Sequence, residues 1–143
     1  MCNNRLLISV VDDEEPVRKA LCRLFGSAGF DVQTFASGSE FIESLKQKRP
    51  DCVVLDVNLD GLSGLEVQQR LGQENPKLPV IMMTGMESPG LREQALKAGA
   101  AAYLRKPLEE RTLLEAVAAA TLPDGTKQRR HPEASPKALD TKT

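Results

Sequence analysis

Five short, mostly apolar segments recur along the chain and are separated by longer segments with a helical spacing of apolar residues. Four of the short segments place apolar residues on consecutive positions, which is typical of strands buried on both faces of a parallel sheet. One segment alternates apolar and polar residues, which favours a strand at a sheet edge. In chain order, the predicted strands are Leu6–Val11, Val32–Phe35, Cys52–Leu55, Pro79–Met83 and Ala102–Arg105.

A segment with helical spacing follows each predicted strand. The first opens at Glu15-Pro16, where proline suits an initial helical position, and ends near Gly26. Ser37 is a candidate cap for the second helix, and Pro50 closes that unit. The remaining predicted helices are one that carries Leu65, Val67, Gln68 and Leu71, one from about Pro89 to Ala98, and one from Leu108 to Ala120.

The strand–helix unit therefore occurs five times. Parallel strands joined by helical crossovers give an α/β sandwich of three layers, with helices on both faces of a doubly wound sheet. For five strands, the flavodoxin-like order 2-1-3-4-5 places strands 1 and 3 side by side at the switch point. The sequence thus predicts a flavodoxin-like (βα)5 domain over residues 1–120. It predicts a disordered tail or linker over residues 121–143, where the apolar periodicity stops.

Polar residues stand directly after four of the predicted strands. Asp12 and Asp13 follow the first strand, Asp56 the third, Thr84 the fourth and Lys106 the fifth. The carboxyl ends of parallel strands share one edge of the sheet, where ligands bind at the switch point. We therefore expect these five side chains to converge on one crevice.

This combination of side chains suits phosphoryl chemistry. Two carboxylates 4 Å apart repel by about 4 kcal/mol at an effective dielectric constant of 20, so a cluster of aspartates favours a divalent cation. Short aspartate side chains with carbonyl oxygens and water suit Mg²⁺. An ammonium group and a hydroxyl can hold phosphoryl oxygens, and an aspartate can itself accept a phosphoryl group. Taken singly, each residue has an ordinary explanation as a turn or cap residue, and for Glu14 and Glu15 we keep the interpretation that they complement a helix N-terminus.

Composition limits the class of protein. The formal net charge is −1, which gives no indication of general affinity for nucleic acids. No apolar run approaches the roughly 18 residues of a membrane span, and the first residues lack a signal-peptide pattern. Cys2, Cys22 and Cys52 have no ligand-like spacing. We therefore expect a cytoplasmic protein without membrane insertion, whose cysteines are buried free thiols.

With these motifs in place, residues 5–120 resemble the receiver domain of bacterial two-component response regulators, in its single-domain form. The matching stretches are Val10–Glu14 (VVDDE), Val53–Gly64 (VVLDVNLDGLSG), Val80–Gly85 (VIMMTG) and Gly99–Pro107 (GAAAYLRKP). One departure is visible, because Asp60 stands four residues after Asp56, where the family often has proline. An extra carboxylate at that position could alter metal affinity or the lifetime of a bound phosphoryl group.

The resemblance implies a role for each candidate site residue. Asp56 would be the phosphoacceptor, and Thr84 and Lys106 would hold the phosphoryl group. Mg²⁺ would be coordinated by Asp13, Asp56 and the backbone carbonyl of Asn58, with Asp12 acting through water.

The resemblance also implies a conformational switch. Thr84 would move toward the phosphoryl group while Tyr103 turns inward, and this would remodel the surface of the fourth helix, fifth strand and fifth helix. A cis peptide bond is implied between Lys106 and Pro107, consistent with the low cost of the cis form before proline.

The expected function is that of a phosphorelay module and not of an enzyme. A sensor histidine kinase or a histidine phosphotransfer protein would donate the phosphoryl group to Asp56 with Mg²⁺, and the downstream target is not indicated. An alternative is the regulatory half of a DNA-binding transcriptional regulator whose output domain is absent from this chain, and direct contact with nucleic acid is not expected. An aspartyl phosphatase of the haloacid dehalogenase type is disfavoured, because its nucleophile lies on the first strand with a second aspartate two residues later, whereas here Asn58 occupies that position.

Overall fold

A five-stranded parallel sheet forms the centre of the molecule in the order β2-β1-β3-β4-β5. This computed structural model describes residues 5–59, 61–74, 77–86 and 89–121. The fold class and the strand order predicted from the sequence are confirmed. The elements are β1 (Leu7–Val11), α1 (Glu15–Ser27), β2 (Asp31–Phe35), α2 (Gly38–Ser44), β3 (Cys52–Asp56), α3 (Gly64–Glu74), β4 (Val80–Thr84), α4 (Leu91–Lys97), β5 (Ala102–Arg105) and α5 (Glu110–Ala120).

Each face of the sheet carries its own apolar core. Alternate residues of β3 illustrate this, because Val53 and Leu55 pack on one face and Val54 packs on the other. Phe41 of α2 belongs to the first core, and Phe25 of α1 belongs to the second. The strands β1, β3 and β4 are buried along their whole length. Burial on both faces explains why their sequences are apolar without alternation.

The two outer strands differ from the inner three. Alternation predicted β2 as an edge strand, and it pairs only with β1. The strand β5 was grouped with the fully buried strands, and this was wrong. It forms the opposite edge of the sheet, where Tyr103 is buried while Arg105 is exposed.

Two helices begin later than the sequence predicts. The helix α4 begins at Leu91 and not at Pro89, because Gly90 has φ +80°, a left-handed conformation outside the helical range. The helix α5 begins at Glu110 and not at Leu108, because Glu109 is extended, with φ −88° and ψ 126°.

Serine residues cap α2, which precedes β3, and α3, which follows it. Ser37 Oγ accepts a hydrogen bond from the Glu40 N–H at 3.1 Å, as predicted for α2. Ser63 Oγ accepts one from the Glu66 N–H at 3.2 Å, and Glu66 Oε1 accepts one from the Ser63 N–H at 2.9 Å. This reciprocal pair is a capping box, which fixes where α3 begins after Asp56.

The cysteines agree only in part with the sequence analysis. Cys52 is buried in β3 as a free thiol, but Cys22 is exposed on α1. The helix buries only the stripe that carries Leu21 and Phe25, and residue 22 lies beside that stripe. Cys2, Asp60 and the predicted tail from residue 122 onward lie outside the described residues. No helix within the described ranges has the length and apolar character that crossing a membrane requires.

Candidate functional site

The carboxyl edge of the sheet collects the polar residues that end the strands. Asp12 comes directly after β1, Asp56 and Thr84 are the last residues of β3 and β4, and Lys106 follows β5. Because β1 lies between β2 and β3, Asp12 emerges next to Asp56. The convergence expected from the strand ends is therefore present in the structure.

Lys106 joins the two buried aspartates of this edge. Its Nζ donates hydrogen bonds to Asp12 Oδ2 at 2.7 Å and to Asp56 Oδ2 at 3.0 Å. Asp12 is fully buried and Asp56 is 3% exposed. Carboxylates at such depth are rarely stable unless they are paired, so Lys106 supplies the charge that this arrangement requires.

Asp13 completes an acidic cluster with these two residues. One carboxylate oxygen from each of Asp12, Asp13 and Asp56 lies within 4.8 Å of the others. Asp13 is exposed, so the cluster is reached from solvent on its side. Three carboxylates and one ammonium group give the cluster a net negative charge. Carboxylate oxygens are hard donors, and such donors fit Mg²⁺. Asn58 lies two residues after Asp56, and coordination by its carbonyl stays a prediction.

The groups around Asp56 shift its pKa in opposite directions. Burial raises the pKa of the carboxyl group above its ordinary value, and the negative charge of Asp12 acts in the same direction. The Asn58 N–H, which donates to Asp56 Oδ1 at 2.9 Å, and Lys106 act to lower it but do not cancel the effect. The pKa of Asp56 therefore lies above its ordinary value, and burial is the main cause.

The pKa of Lys106 is also set by opposing effects. Burial acts to lower the pKa of its ammonium group, but the hydrogen bonds to Asp12 and Asp56 outweigh burial. The pKa of Lys106 therefore lies above its ordinary value, and the positive charge is held across the physiological pH range.

The Thr84 hydroxyl is engaged with its own loop. Its Oγ1 donates a hydrogen bond to the Met86 carbonyl at 2.8 Å and accepts one from the Met86 N–H at 3.1 Å. Asn58 Nδ2 lies 3.4 Å from the same oxygen. To donate to a phosphoryl oxygen, the Thr84 hydroxyl would have to give up its hydrogen bond to the Met86 carbonyl, and that role stays a prediction.

Tyr103 lies inward in this structure. Its side chain is 5% exposed and belongs to the core on one face of the sheet. The Arg92 guanidinium carbon of α4 lies 5.7 Å from the centre of the Tyr103 ring, within the range of a cation–π contact. An inward rotation of Tyr103 as part of a switch stays a prediction, and its ring already links β5 to α4.

Sequence reasoning missed two residues of the site. Glu14 was assigned only to the N-terminus of a helix, but its Oε1 lies 3.6 Å from Lys106 Nζ. Arg18 was not identified, and its Nη1 donates a hydrogen bond to the Asp12 carbonyl at 2.7 Å. Its spacing was the available signal, because residue 18 lies one helical turn after residue 14 and faces the same loop. The peptide bond between Lys106 and Pro107 is cis, as the resemblance implied.

Comparison with known proteins identifies the family of this chain. Residues 8–118 match the family model of the response regulator receiver domain. The chain is 39% identical over 119 residues to nodulation protein W of Bradyrhizobium diazoefficiens, an alignment that covers 83% of this chain and 52% of that protein. It is 40% identical over 117 residues to the transcriptional regulatory protein TdiR of Thauera aromatica, covering 82% of this chain and 52% of that protein. The chain thus spans about half the length of these curated relatives.

The fold also resembles solved structures of receiver domains. A CheY-like response regulator receiver domain protein from Methanospirillum hungatei superposes with a TM-score of 0.80 at 25% sequence identity. The superposition covers 88% of this chain and 99% of that structure. Sequence family and architecture therefore agree over the same region. The chain belongs to the response regulator receiver domain family of two-component signalling systems.

Proposed function

We propose that this chain accepts a phosphoryl group on Asp56 in a two-component phosphorelay. The family consists of signalling regulators. The single observation that carries it is the position of Asp56, which hydrogen-bonds Lys106 and shares an acidic cluster with Asp12 and Asp13. A nucleophile, a fixed cation and a set of hard oxygen donors are the parts that phosphoryl transfer requires.

The donor would be a phosphohistidine on a sensor histidine kinase or a histidine phosphotransfer protein. A carboxylate oxygen of Asp56 forms the new bond to phosphorus, and the phosphorus–nitrogen bond breaks with its electron pair returning to the imidazole. The product is an acyl phosphate on Asp56.

Asp12, Asp13 and Asp56 would hold Mg²⁺, with the Asn58 carbonyl as a further ligand. Bound there, Mg²⁺ would neutralise charge on the transferring group and on the acidic cluster. Asp13 supports this assignment because it is exposed and lies with the two buried carboxylates. An exposed ligand gives the ion a path of entry from solvent.

Lys106 would exchange one of its present partners for a phosphoryl oxygen. Its Nζ contacts both Asp12 and Asp56, so it lies where an oxygen of the new acyl phosphate would emerge. Once Asp56 is phosphorylated, its carboxylate charge would be replaced by that of the phosphoryl group, and Lys106 would remain paired. Thr84, at the end of the neighbouring strand, would contact another phosphoryl oxygen after leaving the Met86 backbone.

An apolar groove beside the site offers a contact surface for the phosphodonor protein. The groove has a volume of about 350 Å³ and runs between α1 and α5, with Lys106 and Pro107 at one end. Val17, Ala20 and Leu24 line its α1 side. Lys106 lines the groove and hydrogen-bonds Asp56, so a protein seated there would approach the carboxylate, as delivery of a phosphoryl group from a histidine requires.

The response to phosphorylation would pass through Thr84 and Tyr103. Movement of Thr84 would alter the loop that leads into α4, and Arg92 on α4 contacts the Tyr103 ring. A downstream protein would then read the surface formed by α4, β5 and α5. The phosphoryl group acts by favouring one of two arrangements of these elements.

The decisive experiment uses a small phosphodonor. Incubation with acetyl phosphate and Mg²⁺ should add about 80 Da to the intact mass of the wild-type chain, the mass of one phosphoryl group. Asp56→Asn should show no adduct, and none should form on the wild type when a chelator removes Mg²⁺ before the phosphodonor is added. No adduct on the wild type, or an equal adduct on Asp56→Asn, would exclude this function.

A second candidate is the regulatory part of a transcriptional regulator. The observation in its favour is that the chain matches about half of TdiR, whose name describes a transcriptional regulatory protein. Under this proposal, phosphorylation of Asp56 would control a DNA-binding part carried elsewhere. The reading frame of the parent gene decides between the two, because an output domain fused after residue 143 would support the second.

A further inference from the structure

Arg18 reaches from α1 back to the end of β1. Its Nη1 donates a hydrogen bond to the backbone carbonyl of Asp12 at 2.7 Å, and its side chain is partly buried. A charge-assisted hydrogen bond of this length is among the stronger ones in proteins. Arg18 contacts the backbone of the acidic loop while leaving its carboxylates available to other partners.

The two aspartates of this loop are held very differently. Asp12 is fixed through its side chain, since Oδ1 accepts from the Glu14 N–H at 2.8 Å and Oδ2 accepts from Lys106. Asp13 is exposed, and among the described residues its carboxylate accepts no hydrogen bond. The direction of the Asp13 side chain therefore depends on how the backbone is held.

The Asp12 carbonyl is the part of the backbone that matters for Asp13. A peptide group is planar, so the Asp12 carbonyl and the Asp13 N–H lie in one plane that ends at the Asp13 Cα. Fixing the carbonyl fixes this plane and restricts the direction in which the Asp13 side chain leaves. Arg18 makes that contact from a helix, which is a more rigid support than the loop itself.

We propose that Arg18 is a positioning residue for the cation site, which clamps the peptide between Asp12 and Asp13 and thereby orients the Asp13 carboxylate. The inference rests on the proposed Mg²⁺ site. Groups that orient metal ligands in this way typically change metal affinity by 10- to 100-fold when they are removed. The same role is not expected of Arg23, which is exposed on the same helix and has no side-chain partner among the described residues.

The sign of the effect separates positioning from simple electrostatics. Removing a positive charge near a cation site should by itself tighten Mg²⁺ binding, because it removes a repulsion. Removing a clamp should weaken binding. Arg18→Met and Arg23→Met both remove one positive charge and keep an unbranched side chain, so they form a matched pair.

The test is titration of the full chain with Mg²⁺ by calorimetry, together with thermal unfolding without Mg²⁺. We expect Arg18→Met to bind Mg²⁺ at least about tenfold more weakly than the wild type, while Arg23→Met binds as tightly as the wild type or slightly more tightly. The unfolding midpoint of Arg18→Met without Mg²⁺ should stay close to that of Arg23→Met. Arg18→Lys keeps the charge and a donor and should recover part of the affinity.

Three results would overturn the inference. The first is an equal Mg²⁺ affinity of Arg18→Met and Arg23→Met. The second is a fall of the Arg18→Met unfolding midpoint that shows a general loss of structure. The third is an Arg18→Lys variant that recovers none of the lost Mg²⁺ affinity. Failure of the wild type to bind Mg²⁺ would instead count against the proposed function. The two failures are therefore distinguishable in one set of measurements.

Discussion

Lys106 Nζ lies 2.7 Å from Asp12 Oδ2, although 94 positions separate the two residues in the chain. The same nitrogen contacts Asp56 at 3.0 Å, so one ammonium group holds two carboxylates that are almost completely buried. The strand order brings all three to one edge of the sheet. This contact makes the stability of the fold depend on the residues proposed to carry its chemistry.

Substitution of Lys106 should therefore destabilise the protein strongly. We expect Lys106→Met to lower the free energy of unfolding by about 3 kcal/mol without divalent cations, because it leaves two buried carboxylates without their cation. Urea unfolding followed by circular dichroism measures this difference. Lys48→Met is the control, since Lys48 is exposed after α2 and has no side-chain partner among the described residues. Equal losses in the two variants would contradict the prediction.

Asp56→Asn should have the opposite effect on stability at neutral pH. Burial, reinforced by Asp12, raises the pKa of Asp56 in the folded protein, so the folded state binds this proton more readily than the unfolded state. The ionised carboxylate then weakens the fold, and stability falls as pH rises from the unfolded to the folded pKa. Asp56→Asn should be more stable than the wild type above this interval, without divalent cations.

Urea unfolding over a series of pH values measures the difference. The advantage of Asp56→Asn should shrink as pH falls and the wild-type carboxyl group becomes protonated. Glu93→Gln removes an exposed carboxylate on α4 and should show no comparable dependence. A stability difference that stays constant with pH would show that the effect has another origin.

Two glycines of α3 should respond to alanine in opposite directions. A Cβ on Gly64 would collide with the Asp56 carbonyl oxygen and lie 2.7 Å from Val57 Cα, whereas a Cβ on Gly72 meets nothing within 4 Å. We expect Gly64→Ala to cost about 1–3 kcal/mol through overpacking and to slow phosphorylation by acetyl phosphate. Gly72→Ala should gain about 0.5–1 kcal/mol by reducing the entropy lost on folding. Chemical unfolding and intact-mass time courses test both, and a stable, fast Gly64→Ala would contradict the packing argument.

A substitution in the groove between α1 and α5 should slow phosphorylation by a histidine kinase without affecting phosphorylation by acetyl phosphate. Ala20 lines the groove, so Ala20→Glu should slow phosphoryl transfer from a histidine kinase that phosphorylates the wild type by at least about tenfold, because a charge enters an apolar contact. The rate with acetyl phosphate should be unchanged. Ala118→Glu, exposed on α5 outside the groove lining, is the matched control. Equal slowing with both donors would place the effect in the site and not in docking.

The pattern of apolar residues was sufficient to predict most of the strands and helices of the fold. Consecutive apolar residues in β1, β3 and β4 predicted strands covered on both faces, and burial along all three agrees. Helix starts were less accurate where backbone conformation decided them, as at Gly90 before α4. Exposure of Cys22 was not predicted either, because a neighbour of a buried stripe has no distinct signal in a single sequence.

The sequence by itself determined which residues end the strands, and with them Asp12, Asp56, Thr84 and Lys106 as candidates for one site. Strand periodicity is local, so it can be read without knowing the neighbours of a strand. Only the tertiary structure decided that Lys106 bridges two aspartates, that the Thr84 hydroxyl is bonded to the Met86 backbone, and that Arg18 holds the Asp12 carbonyl. These contacts depend on distances and directions between side chains from different elements, which packing fixes and sequence spacing does not.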